Sequence, residues 1–176
     1  MELITLENVK TVLEEYAQEV RNTYQDKLIT NDRISSGKLL NSVEYQVEFN
    51  GVEYEVKLTL EKYWKYIEYG VQGKENFSSP FKNPGWGAYP HILEWVTTKP
   101  VLPRSGQKHL KRPESLAGAI TAAIVNNGIK PGGELKDSID EVNQRYKDKL
   151  VIALHKDTET LLKVVLGGIQ GSVPTY

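Results

Sequence analysis

The sequence contains no cysteine in its 176 residues. This absence excludes a disulfide scaffold, a thiol nucleophile, a CxxC redox site and any zinc site with cysteine ligands. No apolar run approaches the roughly 18 residues that a membrane-spanning helix needs, so we expect no membrane partner. Charge of one sign is not in excess either, because 22 lysines and arginines oppose 23 aspartates and glutamates. This balance excludes a chain whose whole surface coats nucleic acid or anionic lipid.

Catalytic motifs are also missing. The sequence has no G-x-S-x-G elbow and no Walker-type glycine loop. His91 and Glu94 lie three positions apart on a predicted helix, which places both on one face. The other imidazoles, His109 and His155, lie in a basic loop and at the end of a distant helix. We therefore assign no catalytic residue, no metal ligand and no cofactor, and we expect a protein that is not an enzyme. A small hydrolase centred on His91 and Glu94 is the weaker alternative.

Two long amphipathic helices are predicted near the ends of the chain. Apolar residues recur every three or four positions from Leu6 to about Thr30, and again from Leu135 to about Lys156. Asp157 is a candidate cap for a further segment. Residues 161–166 fit either a strand or a continued helix, and the pattern does not separate the two.

A β-hairpin is predicted over residues 43–60. Apolar and charged residues alternate up to Phe49, and the alternation resumes at Val52 after Asn50 and Gly51. Asn-Gly between two such runs is typical of a two-residue type I′ turn. One face of the hairpin is apolar and must be covered, and the two long helices offer matching stripes. The sequence therefore predicts an α+β fold, a small antiparallel hairpin sheet packed against a long N-terminal and a long C-terminal helix.

Residues 61–112 carry an aromatic segment and a basic loop, with short helices expected from Pro90 and Pro113. Aromatic side chains in a segment rich in glycine and proline favour a protein interface, where tyrosine and tryptophan are enriched. The candidate subunit-interface residues are Trp64, Tyr66, Tyr69, Phe77, Phe81, Trp86 and Tyr89. The stretch 99–112 has five basic residues and no acid, which predicts contact with phosphate or with an acidic protein. These candidate contact residues are Lys99, Arg104, Lys108, Lys111 and Arg112.

The same residues leave a second interpretation open. Aromatic side chains beside basic ones also stack the bases of single-stranded nucleic acid. Glu61, Glu68 and Glu75 lie among the aromatics and would repel a phosphate chain, which favours the protein interface. A small nucleic-acid-binding protein that uses residues 63–95 and 99–112 is therefore the alternative function. The basic loop is equally compatible with a solvated surface.

Two short motifs flank the hairpin. Residues 36–42 read SGKLLNS, residues 66–70 read YIEYG, and KPGGEL at 130–135 leads into the last helix. This order resembles the neck, head–tail connector and tail-completion proteins of tailed bacteriophages. In that family an SGxLxxS turn precedes the hairpin, and the motif that follows it is an aromatic residue, two variable positions, an aromatic residue or valine, Glu, Phe or Tyr, and Gly. The resemblance covers about residues 5–156, and the middle section looks like versions from phages of Bacteroidota-type hosts.

The resemblance implies a structural component of the virion without catalytic residues. Its expected form is a ring at the head–tail junction, around the DNA channel, with six-fold or twelve-fold symmetry. The implied partners are further copies of the chain and adjacent portal, connector or tail ring proteins, and non-specific contact with packaged DNA is compatible with this role. The implied location is the neck or tail region of the virion, after assembly in the host cytoplasm. We expect one connector-like domain over residues 1–156 and a C-terminal extension, 157–176, ordered by partner subunits.

Overall fold

A computed structural model describes residues 6–34, 37–73, 89–99, 101 and 111–170 of the chain. Within these ranges the chain forms six helices and two strands. In chain order these are α1 (Glu7–Thr30), α2 (Lys38–Ser42), β1 (Glu44–Phe49), β2 (Tyr54–Thr59), α3 (Trp64–Glu68), α4 (Tyr89–Thr98), α5 (Pro113–Asn127) and α6 (Glu134–Gln170). The predicted α+β class is confirmed. None of the helices in the described ranges is long and apolar enough to cross a bilayer.

The last helix is longer than the sequence pattern indicated. α6 has 37 residues, or about 55 Å at 1.5 Å per residue. The predicted end near Lys156 is wrong, and residues 161–166 continue the helix. Asp157 caps no new segment but lies inside α6 and points its carboxylate at the start of α1. That carboxylate accepts the backbone N–H groups of Asn8 at 3.1 Å and Val9 at 2.8 Å. It therefore satisfies two of the donors that the first turn of a helix leaves unpaired.

The hairpin pairs its strands as the alternation requires. β1 and β2 are antiparallel, with Val47 opposite Val56 and Phe49 opposite Tyr54. Along each strand, half-buried side chains alternate with exposed ones. The hairpin therefore has one covered face and one face in water.

The turn of the hairpin differs from the prediction. Four residues, 50–53, link the strands, so the two-residue type I′ turn and the restart at Val52 are wrong. The Asn50 side-chain oxygen accepts the N–H groups of Val52 at 2.9 Å and Glu53 at 3.0 Å. This side chain closes the turn locally, as asparagine does in Asx turns. Val52 consequently lies at the tip, with 90% of its surface exposed.

The chain forms two compact units. The first comprises Met1–Asp26, Val43–Thr59 and Asp137–Tyr176, and the second comprises Lys27–Ser42 and Leu60–Lys136. The predicted boundary between residues 156 and 157 stays a prediction, although α6 runs through it unbroken.

Each unit has its own apolar cluster. In the first unit, Val20 of α1 is buried with Val142 and Tyr146 of α6, and Leu58 of β2 packs against them. The two long helices and the hairpin thus share a core, as their matching stripes predicted. In the second unit, Val96 of α4 is buried with residues of α5. The residues packed there are Leu116, Ala117 and Ile120 of α5, Tyr89, Ile92, Leu93 and Trp95 of α4, and Val101.

Candidate functional site

The YIEYG motif lies at the end of α3, and neighbouring segments of the second unit hold this short helix. The Tyr63 hydroxyl, just before α3, accepts the backbone N–H of Leu39 at 3.0 Å. Ser42 accepts the N–H of Glu61 at 3.0 Å through its hydroxyl oxygen and donates to the carbonyl of Leu39 at 2.9 Å. Leu39 itself is buried. Hydrogen bonds therefore join the SGKLLNS motif before the hairpin to residues 61–63, which lead into α3.

Glu68 is the central residue of the YIEYG motif, and it is buried at 5% exposure. Its two carboxylate oxygens accept the N–H groups of Leu135 and Lys136, each at 2.9 Å. These groups belong to the first turn of α6, where a negative charge is favoured and N–H donors lack helical partners. Glu68 thus fixes the start of α6 onto α3.

The backbone around Gly70 completes this attachment. The N–H of Gly132 donates to the carbonyl of Ile67 at 2.9 Å, and Val71 and Ile129 form an antiparallel bridge with hydrogen bonds of 2.9 and 2.7 Å. Gly70 has a φ of +68°, and a Cβ at this position would collide with the backbone of residues 129–131. Only glycine combines this conformation with so close an approach.

Aromatic side chains of α3 and of the residue that follows it are exposed, although Glu68 and the backbone around Gly70 attach this helix to the start of α6. Tyr69 is 70% exposed and Tyr66 is 45% exposed. The Trp64 ring lies 5.7 Å from that of Tyr69, and the Lys65 ammonium lies 5.5 Å from the centroid of Tyr66. We call the surface formed by Lys62, Trp64, Lys65, Tyr66 and Tyr69 the α3 patch. Aromatic rings with polar tips beside exposed cations are typical of the contact residues of protein interfaces.

Of the other candidate interface residues, the structure describes only Tyr89. Phe77, Phe81 and Trp86 lie outside the described residues. Tyr89 is half-buried and packs against Val96 and its neighbours in the second unit's own core. The α3 patch is thus the part of the predicted interface that the described residues bring together at the surface.

The basic loop is described only in part. Arg104 and Lys108 lie outside the described residues, whereas Lys111 and Arg112 are exposed where α5 begins. Lys99 is 25% exposed and forms an ion pair of 2.6 Å with Asp32. This contact ties Lys99 to the turn after α1.

Sequence reasoning missed Glu68 and Glu134, two glutamates that are buried in the described part of the second unit. It treated Glu68 as a charge that repels phosphate, whereas Glu68 caps α6. Glu134, 2% exposed, accepts the Nε–H of Arg33 at 2.7 Å and the side-chain amide of Asn31 at 3.3 Å. The signal in the sequence was the position of Glu68 in a short amphipathic turn, four residues after Trp64 and immediately before Tyr69 and Gly70.

The region of His91 and Glu94 shows no cluster of ligands among the described residues. Glu94 forms an ion pair of 2.8 Å with Lys38. A hydrogen bond from that ammonium, and its charge, lower the pKa of Glu94 below its ordinary value. Within the part of the chain that the structure describes, no group of three or more histidine, aspartate or glutamate side chains could hold a metal ion.

The comparison with known proteins agrees with the resemblance noted in the sequence. Residues 3–70 match the HK97-gp10-like family, described as "Bacteriophage HK97-gp10, putative tail-component". The match ends at Gly70, so it contains both motifs and the hairpin but not α4, α5 or α6. It is shorter than the expected similarity over residues 5–156. No curated protein and no solved structure matches the chain.

Proposed function

We propose that this chain, similar over residues 3–70 to a family of phage tail components, is a structural protein of a tailed-phage virion that forms a ring at the head–tail junction. The match to the family is the observation that carries the proposal. It also favours a role without catalysis.

The α3 patch supports assembly through protein contacts. Its tyrosines are exposed, while Glu68 and the glycine contacts hold their helix in place. A preorganised aromatic surface loses little conformational entropy on binding, which strengthens association. We infer that Trp64, Tyr66 and Tyr69 contact a neighbouring subunit, and that repetition of one such heterologous contact closes a ring of six or twelve copies.

The basic loop has a second role in this proposal. Lys111 and Arg112 are exposed at the start of α5, and Arg104 and Lys108 precede them in the sequence. In a ring these charges repeat in every subunit and form a belt. We infer that the belt contacts packaged DNA or an acidic adjoining ring. Lys99 is not part of this belt, because it forms an ion pair with Asp32.

Mass in solution and in particles tests the ring. Light scattering and negative-stain microscopy of the purified chain should show closed oligomers at high protein concentration. Quantitative mass spectrometry of particles of the encoding phage should give six or twelve copies per virion. The Tyr66→Ala/Tyr69→Ala variant should fold normally but assemble poorly, whereas Ile152→Ala, on an exposed position of α6, should assemble like the parent. A chain that stays monomeric and is missing from particles would contradict the proposal.

A further inference from the structure

The near-zero net charge of the chain conceals a separation of charge between its units. The first unit has 8 basic and 16 acidic residues, a net charge of −8. The second has 14 basic and 7 acidic residues, a net charge of +7. Surfaces of opposite sign and similar magnitude on one chain favour contact between unlike units of different copies.

The outer face of the hairpin is one acidic surface of the first unit. Glu44, Glu48 and Glu55 lie exposed on it, and Glu53 is exposed in the adjoining turn. Lys57 is the one basic side chain of the two strands, and it contacts both Glu48 and Glu55. We call this surface the acidic hairpin face.

Two glutamates of the acidic hairpin face form a cross-strand pair that lowers the stability of the hairpin. Glu48 and Glu55 are directly opposite each other on β1 and β2. Like charges in this position repel and lower the stability of a sheet. Lys57 offsets part of that repulsion, and positive charge from another molecule would offset more of it.

The α3 patch has the complementary character. Lys62 and Lys65 are exposed on it beside Tyr66 and Tyr69. The one acid of α3, Glu68, is buried and engaged by the N–H groups of Leu135 and Lys136. The surface therefore presents ammonium groups and phenol hydroxyls, both of which donate hydrogen bonds to carboxylates.

We propose that the α3 patch of one copy binds the acidic hairpin face of the next copy in a head-to-tail contact. This inference rests on the proposed ring and names the two surfaces that meet in it. A second copy suits this surface because its acidic hairpin face presents exposed carboxylates, which accept hydrogen bonds from ammonium and phenol groups.

Charge reversal of each surface tests the contact. The first variant is Lys62→Glu/Lys65→Glu, the second is Glu53→Lys/Glu55→Lys, and the third combines all four changes. Matched controls with the same changes of charge are Lys147→Glu/Lys156→Glu on α6 and Glu14→Lys/Glu15→Lys on α1; all four control residues are exposed. Self-association is measured by sedimentation over a range of protein concentrations at about 0.1 M and about 1 M salt, where screening differs strongly. Binding of a short DNA duplex is measured by fluorescence anisotropy.

We expect each two-residue reversal to weaken self-association by about tenfold or more at low salt, and the combined variant to restore most of it. The Glu53→Lys/Glu55→Lys variant should nevertheless melt no lower than the parent, because the ammonium introduced at position 55 would face Glu48 with opposite charge. If these glutamates only stabilised the hairpin, the variant would be expected to melt at a lower temperature. Weaker self-association without a lower melting temperature therefore indicates a contact between copies. Both controls should associate like the parent.

Other results would overturn the contact. One is a two-residue reversal that changes self-association no more than the controls do. Another is a combined variant whose self-association is as weak as that of the two-residue reversals. Loss of duplex binding by Lys62→Glu/Lys65→Glu with unchanged self-association would assign the α3 patch to nucleic acid instead. A parent that remains monomeric contradicts the proposed ring itself, whereas an assembling parent that is indifferent to the reversals contradicts only this contact.

Discussion

Glu68 and Leu135 are separated by 67 positions in the chain, yet the carboxylate of Glu68 accepts the backbone N–H of Leu135 at 2.9 Å. This bond, with its counterpart to Lys136, joins the motif after the hairpin to the first turn of α6. The bond gives the acid of the YIEYG motif a structural role, while the tyrosines of the same motif face outward. Within the five residues of this motif, Glu68 thus holds the fold together and the tyrosines form the exposed surface.

Removal of the Glu68 carboxylate should destabilise the second unit. Glu68→Ala leaves the buried N–H of Leu135 without its acceptor, at a cost of about 2 kcal/mol in the free energy of unfolding. Glu68→Gln keeps one acceptor oxygen and should lose less. Urea denaturation measures both, with Glu114→Ala, exposed in the first turn of α5, as the control that should change little. A Glu68→Ala variant as stable as the control would mean that the cap contributes nothing.

Gly70 and Gly51 form a matched pair for backbone strain. Both have positive φ, +68° and +95°, but a Cβ at Gly51 meets no atom whereas one at Gly70 meets the backbone of residues 129–131. Gly51→Ala should therefore cost only the conformational penalty of about 1–2 kcal/mol. Gly70→Ala should cost clearly more, since main chain must move as well. Thermal unfolding of the two variants compares them directly, and equal losses would contradict the close approach at Gly70.

Asp157 should make stability depend on pH. Burial raises its pKa, but hydrogen bonds from the Asn8 side chain and from the N–H groups of Val9 and Asn8 outweigh burial and hold the pKa below the ordinary value of 3.8. A carboxyl group with a lowered pKa in the folded state stabilises the fold fully above its unfolded value and loses that contribution as pH falls below 3.8. Unfolding measured from pH 7 down to about 2.5 should show this loss. Asp157→Asn should be less stable at pH 7 and should flatten the acid limb, while Asp148→Asn, exposed on the same helix, should follow the parent.

Two valines of α6 should separate burial from helix propensity. Val142 is fully buried against Val20 and Tyr146, whereas Val151 is 63% exposed. Val142→Ala should lose about 1–3 kcal/mol through lost burial and the cavity left behind. Val151→Ala should stay within about 0.5 kcal/mol of the parent. Similar losses at the two positions in chemical denaturation would show that α6 is not packed as described.

Local patterns predicted most of the elements. The periodicity of residues 6–30 and 135–156 requires an apolar stripe on a helix, and the alternation over 43–60 requires a sheet with one covered face. Pro113 indicated the start of α5, and the helix begins there in the structure. The turn after Phe49 was misjudged because an Asn-Gly pair also suits a longer loop in which the asparagine side chain binds the backbone.

The sequence by itself determined the α+β class, the amphipathic faces and the two motifs, since propensity and periodicity act over a few neighbouring residues. Only the tertiary structure decided what the isolated acids do. Glu68 caps α6 across 67 positions and Asp157 caps α1 across 149, because a buried carboxylate needs donors and the fold brings helix starts to it. The distribution of charge is also decided by the tertiary structure. The net charge of −1 does not reveal that the chain has an acidic unit and a basic unit, because the acidic unit is formed from three separate stretches of the sequence.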